Sequence, residues 1–135
     1  MSLTFEDRFA VHELVARYNK ALDTGDAAGW ADTVTPDGVF DGIAGLFTGR
    51  AELEGFVRDY VTNPDFADWA ASQHWTTNLV IDGDGDRANA FAHVKMVKPE
   101  PDGGRIILVG WYEDELAKVD GAWRFTRRKV RASGS

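Results

Sequence analysis

Cysteine is absent from all 135 residues. That excludes disulfides, thiol nucleophiles and thiolate metal sites, and it fits a reducing compartment, so the cytoplasm is the expected location. Histidine is scarce, at three, which leaves few imidazoles for metal ligation or proton transfer. No apolar run approaches the roughly 20 residues that a bilayer-spanning helix needs. The N-terminus lacks the basic start and apolar middle of a secretory signal. No membrane partner is expected. Positive charge is also short: 15 Lys and Arg against 22 Asp and Glu give a formal net charge of -7, which argues against nucleic acid as a partner. The basic stretch Arg124-Phe125-Thr126-Arg127-Arg128-Lys129-Val130-Arg131 alternates as a strand does. No G-x-G-x-x-G, phosphate loop, G-x-S-x-G or H-E-x-x-H occurs, so neither a metal nor an organic cofactor is expected.

What is present is apolar bulk. Hydrophobic residues make up 44%, with five Trp and eight Phe, enough for residues 1–135 to form one domain with its own core. Residues 4–23 predict a first helix, with Val11, Leu14, Val15, Tyr18 and Leu22 on one stripe, Thr4 as N-cap and Gly25 as a left-handed terminator. Asp26 is placed to cap a short second helix running through Trp30 to residue 34. A strand is predicted over 38–41, a loop over 42–49, a third helix over 50–62 and a single helical turn over 66–71. The pattern then changes to period 2, with strands over 73–81, 87–98, 105–119 and 122–131 joined by turns rich in Gly, Asp and Pro. Residues 1–3 and 133–135 are left outside this scheme. Helices first and antiparallel strands afterwards indicate α+β, three helices covering one face of a curved sheet.

The strand Gln73-His74-Trp75-Thr76-Thr77-Asn78 is unusual for its polar file. Strict alternation puts His74, Thr76, Asn78 and Val80 on one face, as in a lined cavity or on a wetted sheet surface. His93 lies on the next strand and faces either the same cavity or solvent. His12, among charged neighbours on the first helix, reads as a surface residue. Asp23 closes the first helix, where a carboxylate opposes the helix dipole. It is either a turn residue bonded to its own backbone or a group held there for chemistry. Asp82-Gly83-Asp84-Gly85-Asp86 has the look of a calcium loop without its later ligands, and reads as a hairpin turn.

Several segments together resemble a SnoaL-like member of the nuclear-transport-factor-2-like superfamily. They are Ala21-Leu22-Asp23-Thr24-Gly25-Asp26, Thr35-Pro36-Asp37-Gly38-Val39-Phe40, His74 with Thr77-Asn78, Tyr112-Glu113-Asp114-Glu115-Leu116, and Asp120-Gly121-Ala122-Trp123-Arg124-Phe125. The resemblance implies a cone-shaped, cystatin-like fold around a deep apolar pocket. Two enzymes of that superfamily are similar in pattern. Scytalone dehydratase implies roles for Asp23, His74 and His93, although Leu22 and Gly42 stand where it has substrate-positioning tyrosines and Tyr112 falls near its late asparagine. Hexachlorocyclohexane dehydrochlorinase implies the same Asp–His pair and adds Arg128.

The expected function is therefore a cofactor-free lyase or isomerase that removes a carbon-bound proton from a small, largely apolar, cyclic substrate. His74 is the expected base, since an ordinary imidazole titrates near neutrality, and Asp23 its orienting partner. His93 or Arg128 would assist a leaving group or an oxyanion. Tyr18, Phe40, Phe47, Trp75, Asn78, Met96, Trp111 and Tyr112 are the candidate pocket walls. A non-catalytic ligand-binding or assembly domain is the alternative.

The predicted long strand is apolar on both faces, with Ile106, Leu108, Gly110 and Tyr112 opposing Ile107, Val109 and Trp111. The helices can cover one of these faces only. A homodimer through the other face is expected, and sedimentation at micromolar concentration checks it: a monomer with that face exposed to solvent would refute it.

Overall fold

The chain enters its first helix through a capping box. In the computed structural model, which describes residues 2–134, the Thr4 hydroxyl accepts from Asp7 N and Asp7 Oδ2 accepts from Thr4 N, both at 3.0 Å. Helix α1 (Phe5–Asp23) follows and buries Val11, Leu14, Val15, Tyr18 and Leu22, the stripe its 3.6-residue period selects. Gly25 ends it with φ 72, which glycine adopts without a Cβ clash. The fold reaches beyond the ends set aside from the sequence: Leu3 is buried in the core and Ser2 bridges to Asp84. Met1 and Ser135 lie outside the described residues.

Helix α2 (Ala27–Ala31) starts where Asp26 caps Gly29 N at 2.9 Å. It stops earlier than its pattern suggested. The Thr33 hydroxyl bonds back to the Trp30 carbonyl at 2.7 Å, and the β-branched run Thr33, Val34, Thr35 favours extended backbone. Strand β1 (Val34–Asp41) therefore begins four residues ahead of expectation. The expected loop contains a short strand, β2 (Leu46–Thr48), paired antiparallel with β1. Helix α3 (Arg50–Thr62), a 3-10 turn (Pro64–Phe66) and helix α4 (Ala67–Ala70) precede strands β3 (Gln73–Asp84), β4 (Arg87–Glu100), β5 (Gly103–Val119) and β6 (Ala122–Ala132). The helical turn expected over 66–71 is α4, and a 3-10 turn precedes it.

The six strands form one sheet in the order β2-β1-β6-β5-β4-β3. It is antiparallel except for the β1–β6 pair. Register shifts interrupt four of its five ladders, and each such irregularity bends a strand and increases its twist. The result is a curved α+β sheet of the cystatin-like kind, with the helices on its concave side. Helix α1 is fastened across β3 by polar rungs: Arg8 Nη1 donates to the Ile81 carbonyl at 2.8 Å and Asn19 Nδ2 to Thr76 Oγ1 at 2.9 Å. The convex face leaves Trp75, Val80, Phe91, Ile106 and Val109 exposed.

Asp7 fixes the other end of α1. Besides the capping bonds it accepts from Trp123 Nε1 at 3.0 Å and from Lys118 Nζ at 3.1 Å. The Trp123 and Thr4 donors, with Lys118, hold its carboxyl well below the usual carboxylate range. A depressed pKa contributes stability that is present above the unfolded value near 3.8 and is lost as pH falls through the folded one. Asp7→Asn should therefore lower the melting temperature by several degrees at pH 7, and its gap to the parent should close as pH drops below 4. Paired thermal melts at pH 7 and pH 3 measure both.

Candidate active site

Strand β3 turns His74 and Thr76 inward and Trp75 and Thr77 outward. The end of α1 lies over His74, and Asp23 Oδ1 stands 2.6 Å from its Nδ1. The same carboxylate accepts the His74 backbone N–H, at 3.1 Å and 3.2 Å to its two oxygens. A carboxylate only accepts, so Nδ1 carries the proton and Nε2 is left with its lone pair. Asp23 does not make the local turn bond open to it; the Thr24 hydroxyl takes the Lys20 carbonyl instead, at 2.7 Å. Side-chain exposures of 9% for His74 and 19% for Asp23 place the pair at the rim of the core, where a charge-assisted bond is little screened.

His74 borders a cavity of about 220 Å³. Its walls are Phe40, Ile43, Phe56, Phe66, Trp69, Val94, Met96 and Leu108, together with Tyr18, Tyr60 and Tyr112. This volume lies below the roughly 300–1,000 Å³ of drug-sized sites and suits one small ring system. Burial keeps all three phenols protonated: it pushes Tyr112 up to about 12 and raises Tyr18 and Tyr60 as well. Tyr60 spends its proton on the Trp69 carbonyl at 2.8 Å, which ties α3 to α4 at the cavity wall.

Of the residues expected here, Asp23, His74, Tyr18, Phe40, Met96 and Tyr112 come together around this space. Others do not. His93 pairs with Thr77, not with His74, and cross-strand partners share a face, so it is exposed on the convex side. There its Nδ1 lies 3.1 Å from Asn78 Nδ2. Asn78 itself leaves the inner file because a register shift between Thr77 and Val80, with Asn78 at φ 58, inserts one residue. Trp75 is 47% exposed, and Trp111, opposite His93, is on the convex face as well. Phe47 packs behind the cavity wall, 4.7 Å from the Phe56 ring. His74 and His93 thus lie on opposite faces of the sheet. Among the described residues, no three His, Asp or Glu side chains are placed to hold an ion. Tyr60, Phe56 and Leu22 were legible as apolar helix stripes only, and nothing in their spacing distinguished cavity wall from core.

Arg128 does not itself line the cavity. It is completely buried and lies behind the cavity, its guanidinium carbon 3.4 Å from the Tyr112 ring centre and 4.3 Å from that of Tyr18. Its ion-pair partner is Asp114, Nε to Oδ1 at 3.1 Å. Burial pushes the Asp114 carboxyl up to about 6, against the pull of Arg128. A raised carboxyl favours folding most below its unfolded value near 3.8, and that contribution is lost as pH rises through about 6. The stability margin of the parent over Asp114→Asn should accordingly shrink between pH 4 and pH 7, read from denaturant midpoints at both.

The fold and cavity define a cystatin-like, nuclear-transport-factor-2-like protein, and the sequence gives its family: residues 4–129 match the SnoaL-like domain, and the chain belongs to that family. The family includes enzymes such as scytalone dehydratase and polyketide cyclases. Among solved structures the chain is similar to Rv3472 of Mycobacterium tuberculosis, a protein of unknown function. The two share 29% identity over 96% of this chain and 73% of that one, with a TM-score of 0.81. A cystatin-like protein of unknown function from Nostoc punctiforme aligns over 100% of this chain and 97% of its own at 23% identity and TM-score 0.88. A protein from Novosphingobium aromaticivorans, provisionally named a scytalone dehydratase, aligns over 93% and 83% at 23% identity and TM-score 0.75. No curated protein matches the chain.

Proposed function

We propose that the protein is a cofactor-independent lyase or isomerase that abstracts a carbon-bound proton from a small, largely apolar cyclic substrate. The observation that carries this is the 2.6 Å contact between Asp23 Oδ1 and His74 Nδ1 at the edge of an apolar cavity. In the reaction, Nε2 of His74 takes the proton. Asp23 holds the ring in the tautomer that leaves Nε2 unprotonated and stabilises the imidazolium once it forms. The apolar walls exclude water and so strengthen the interaction between the charges that arise. Elimination, double-bond migration and ring closure share this first step. The exposed convex patch around Trp75, Phe91 and Val109 supports the further proposal that a second copy covers it.

On a substrate found by screening small cyclic compounds, His74→Ala should lower turnover by at least about 100-fold, the usual scale for a lost general base. Asp23→Asn should keep the fold, seen in an unchanged circular dichroism spectrum, and lose activity comparably, because an amide cannot stabilise the imidazolium. Full turnover in His74→Ala would refute the mechanism.

A further inference from the structure

Arg128 is a buried charge that the proton transfer leaves unused. None of its three guanidinium nitrogens is hydrogen-bonded to any described residue. Among the described residues its ion-pair partner is Asp114, which meets it at Nε. The flat face of the guanidinium is given to aromatic rings instead: Tyr112 at 3.4 Å, Tyr18 at 4.3 Å and Phe125 at 4.5 Å. A buried ion so poorly satisfied is less favourable than an apolar side chain of the same size. Packing alone gives no reason to keep it.

Its placement gives one. Tyr112 and Tyr18 both line the cavity, and both are stacked on Arg128. A cation on the face of a phenol withdraws electron density from the ring and makes its O–H a stronger donor. The two rings meet edge to face with their centres 6.0 Å apart, so both phenols belong to the same corner of the cavity. Tyr60, the third phenol, is already committed to Trp69.

We propose that Tyr112 and Tyr18, polarised by Arg128, form an oxyanion-binding subsite of the cavity, with Arg128 as a positioning residue that acts through the phenols. The subsite selects ligands with a phenolate or enolate oxygen. In turnover it rests on the proposed base. The C–H proton goes to His74 Nε2, the C–H electron pair forms a carbon–carbon π bond, and the displaced carbonyl π pair becomes a lone pair on oxygen. That oxygen accepts from the Tyr112 hydroxyl. The charge of Arg128 opposes the upward push of burial on both phenols, in keeping with this role.

The test is binding of 4-nitrophenol, followed by its absorbance, against nitrobenzene as a neutral analogue. The bound phenol should titrate at least about one pH unit below the free one, a tenfold preference for phenolate. Tyr112→Phe should lose that preference tenfold and bind nitrobenzene as before, which shows the cavity intact. Replacing the pair together, Asp114→Leu with Arg128→Met, should reduce the preference while still binding nitrobenzene. His74→Gln should retain it, which separates this subsite from the base: loss of turnover with the preference kept supports both assignments. Equal binding of phenol and phenolate by the parent, an unchanged preference in Tyr112→Phe, or its loss in His74→Gln would each overturn the proposal.

Discussion

A strand that has to point His74 and Ile81 to the same side must break its own parity, because the two lie seven positions apart. The break falls at Asn78 and Leu79, which together face only Ala92 on the neighbouring strand. Before it, His74 and Thr76 face the helices; after it, Leu79 and Ile81 do. Strand β6 makes the same manoeuvre. Phe125 pairs with Leu116 and Arg127 with Glu115, which leaves Thr126 as the extra residue, its hydroxyl on the Glu115 carbonyl at 3.1 Å. Without that insertion, the inward positions after Phe125 would be Arg127 and Lys129, two long cations in the core. With it they are Arg128 and Val130. Two single-residue bulges thus decide which polar side chains lie inside the cone, and they curve the sheet that forms it.

The dyad depends on the same geometry from the helix side. Asp23 occupies the last turn of α1, where a carboxylate opposes the macrodipole at a cost of about 0.3–1 kcal/mol. Accepting both the ring N–H and the backbone N–H of His74 offsets that cost with charge-assisted bonds. It also joins two residues 51 apart in the chain. Asn19, one helical turn earlier, repeats the crossing with Thr76. Two rungs one turn apart on the helix and two residues apart on the strand fix both the distance and the rotation of α1 over β3. The imidazole therefore has little freedom to swing away from the cavity.

This organisation explains what the sequence disclosed and what it withheld. Helix stripes such as Val11, Leu14 and Tyr18 were readable because burial on one side of a helix leaves a 3.6-residue imprint. The long strands were readable from alternation and their turns. Strand β2 was not, since three residues between glycines carry no period. The helix boundary at Ala31 was lost to a single hydroxyl, that of Thr33, competing for a carbonyl. Asp23 and His74 stood out through family resemblance; on the wheel alone Asp23 could face either way. His93 and Asn78 were misplaced for one reason: alternation extrapolated across a bulge inverts every side chain beyond it. In β6 the same effect means that alternation from Phe125 alone turns Arg128 outward, whereas the family resemblance had set it inside.

Proton transfer inside an apolar cavity creates two charges where water cannot solvate either. Whatever carries out the first step must meet both, or the low dielectric that strengthens attraction will penalise the ions more. In the proposed reaction the imidazolium end is met by Asp23, already in place and already bonded, so no reorganisation is needed when the charge appears. The proposed anionic end lies deeper. Along β4, Met96 pairs with His74 and Ala92 pairs with Tyr112, so Tyr112 is two inward-facing positions further into the cone. Arg128 and Asp114 occupy the next inward row. An acid–base pair at the rim and a phenol backed by a buried cation below it give the cavity an axis, with opposite charges favoured at its two ends. Apolar walls between those ends let a ring slide in without fixing its orientation. In the proposed reaction the axis fixes it, by requiring the acidic carbon near Nε2 and the electron-accepting oxygen towards the tyrosines.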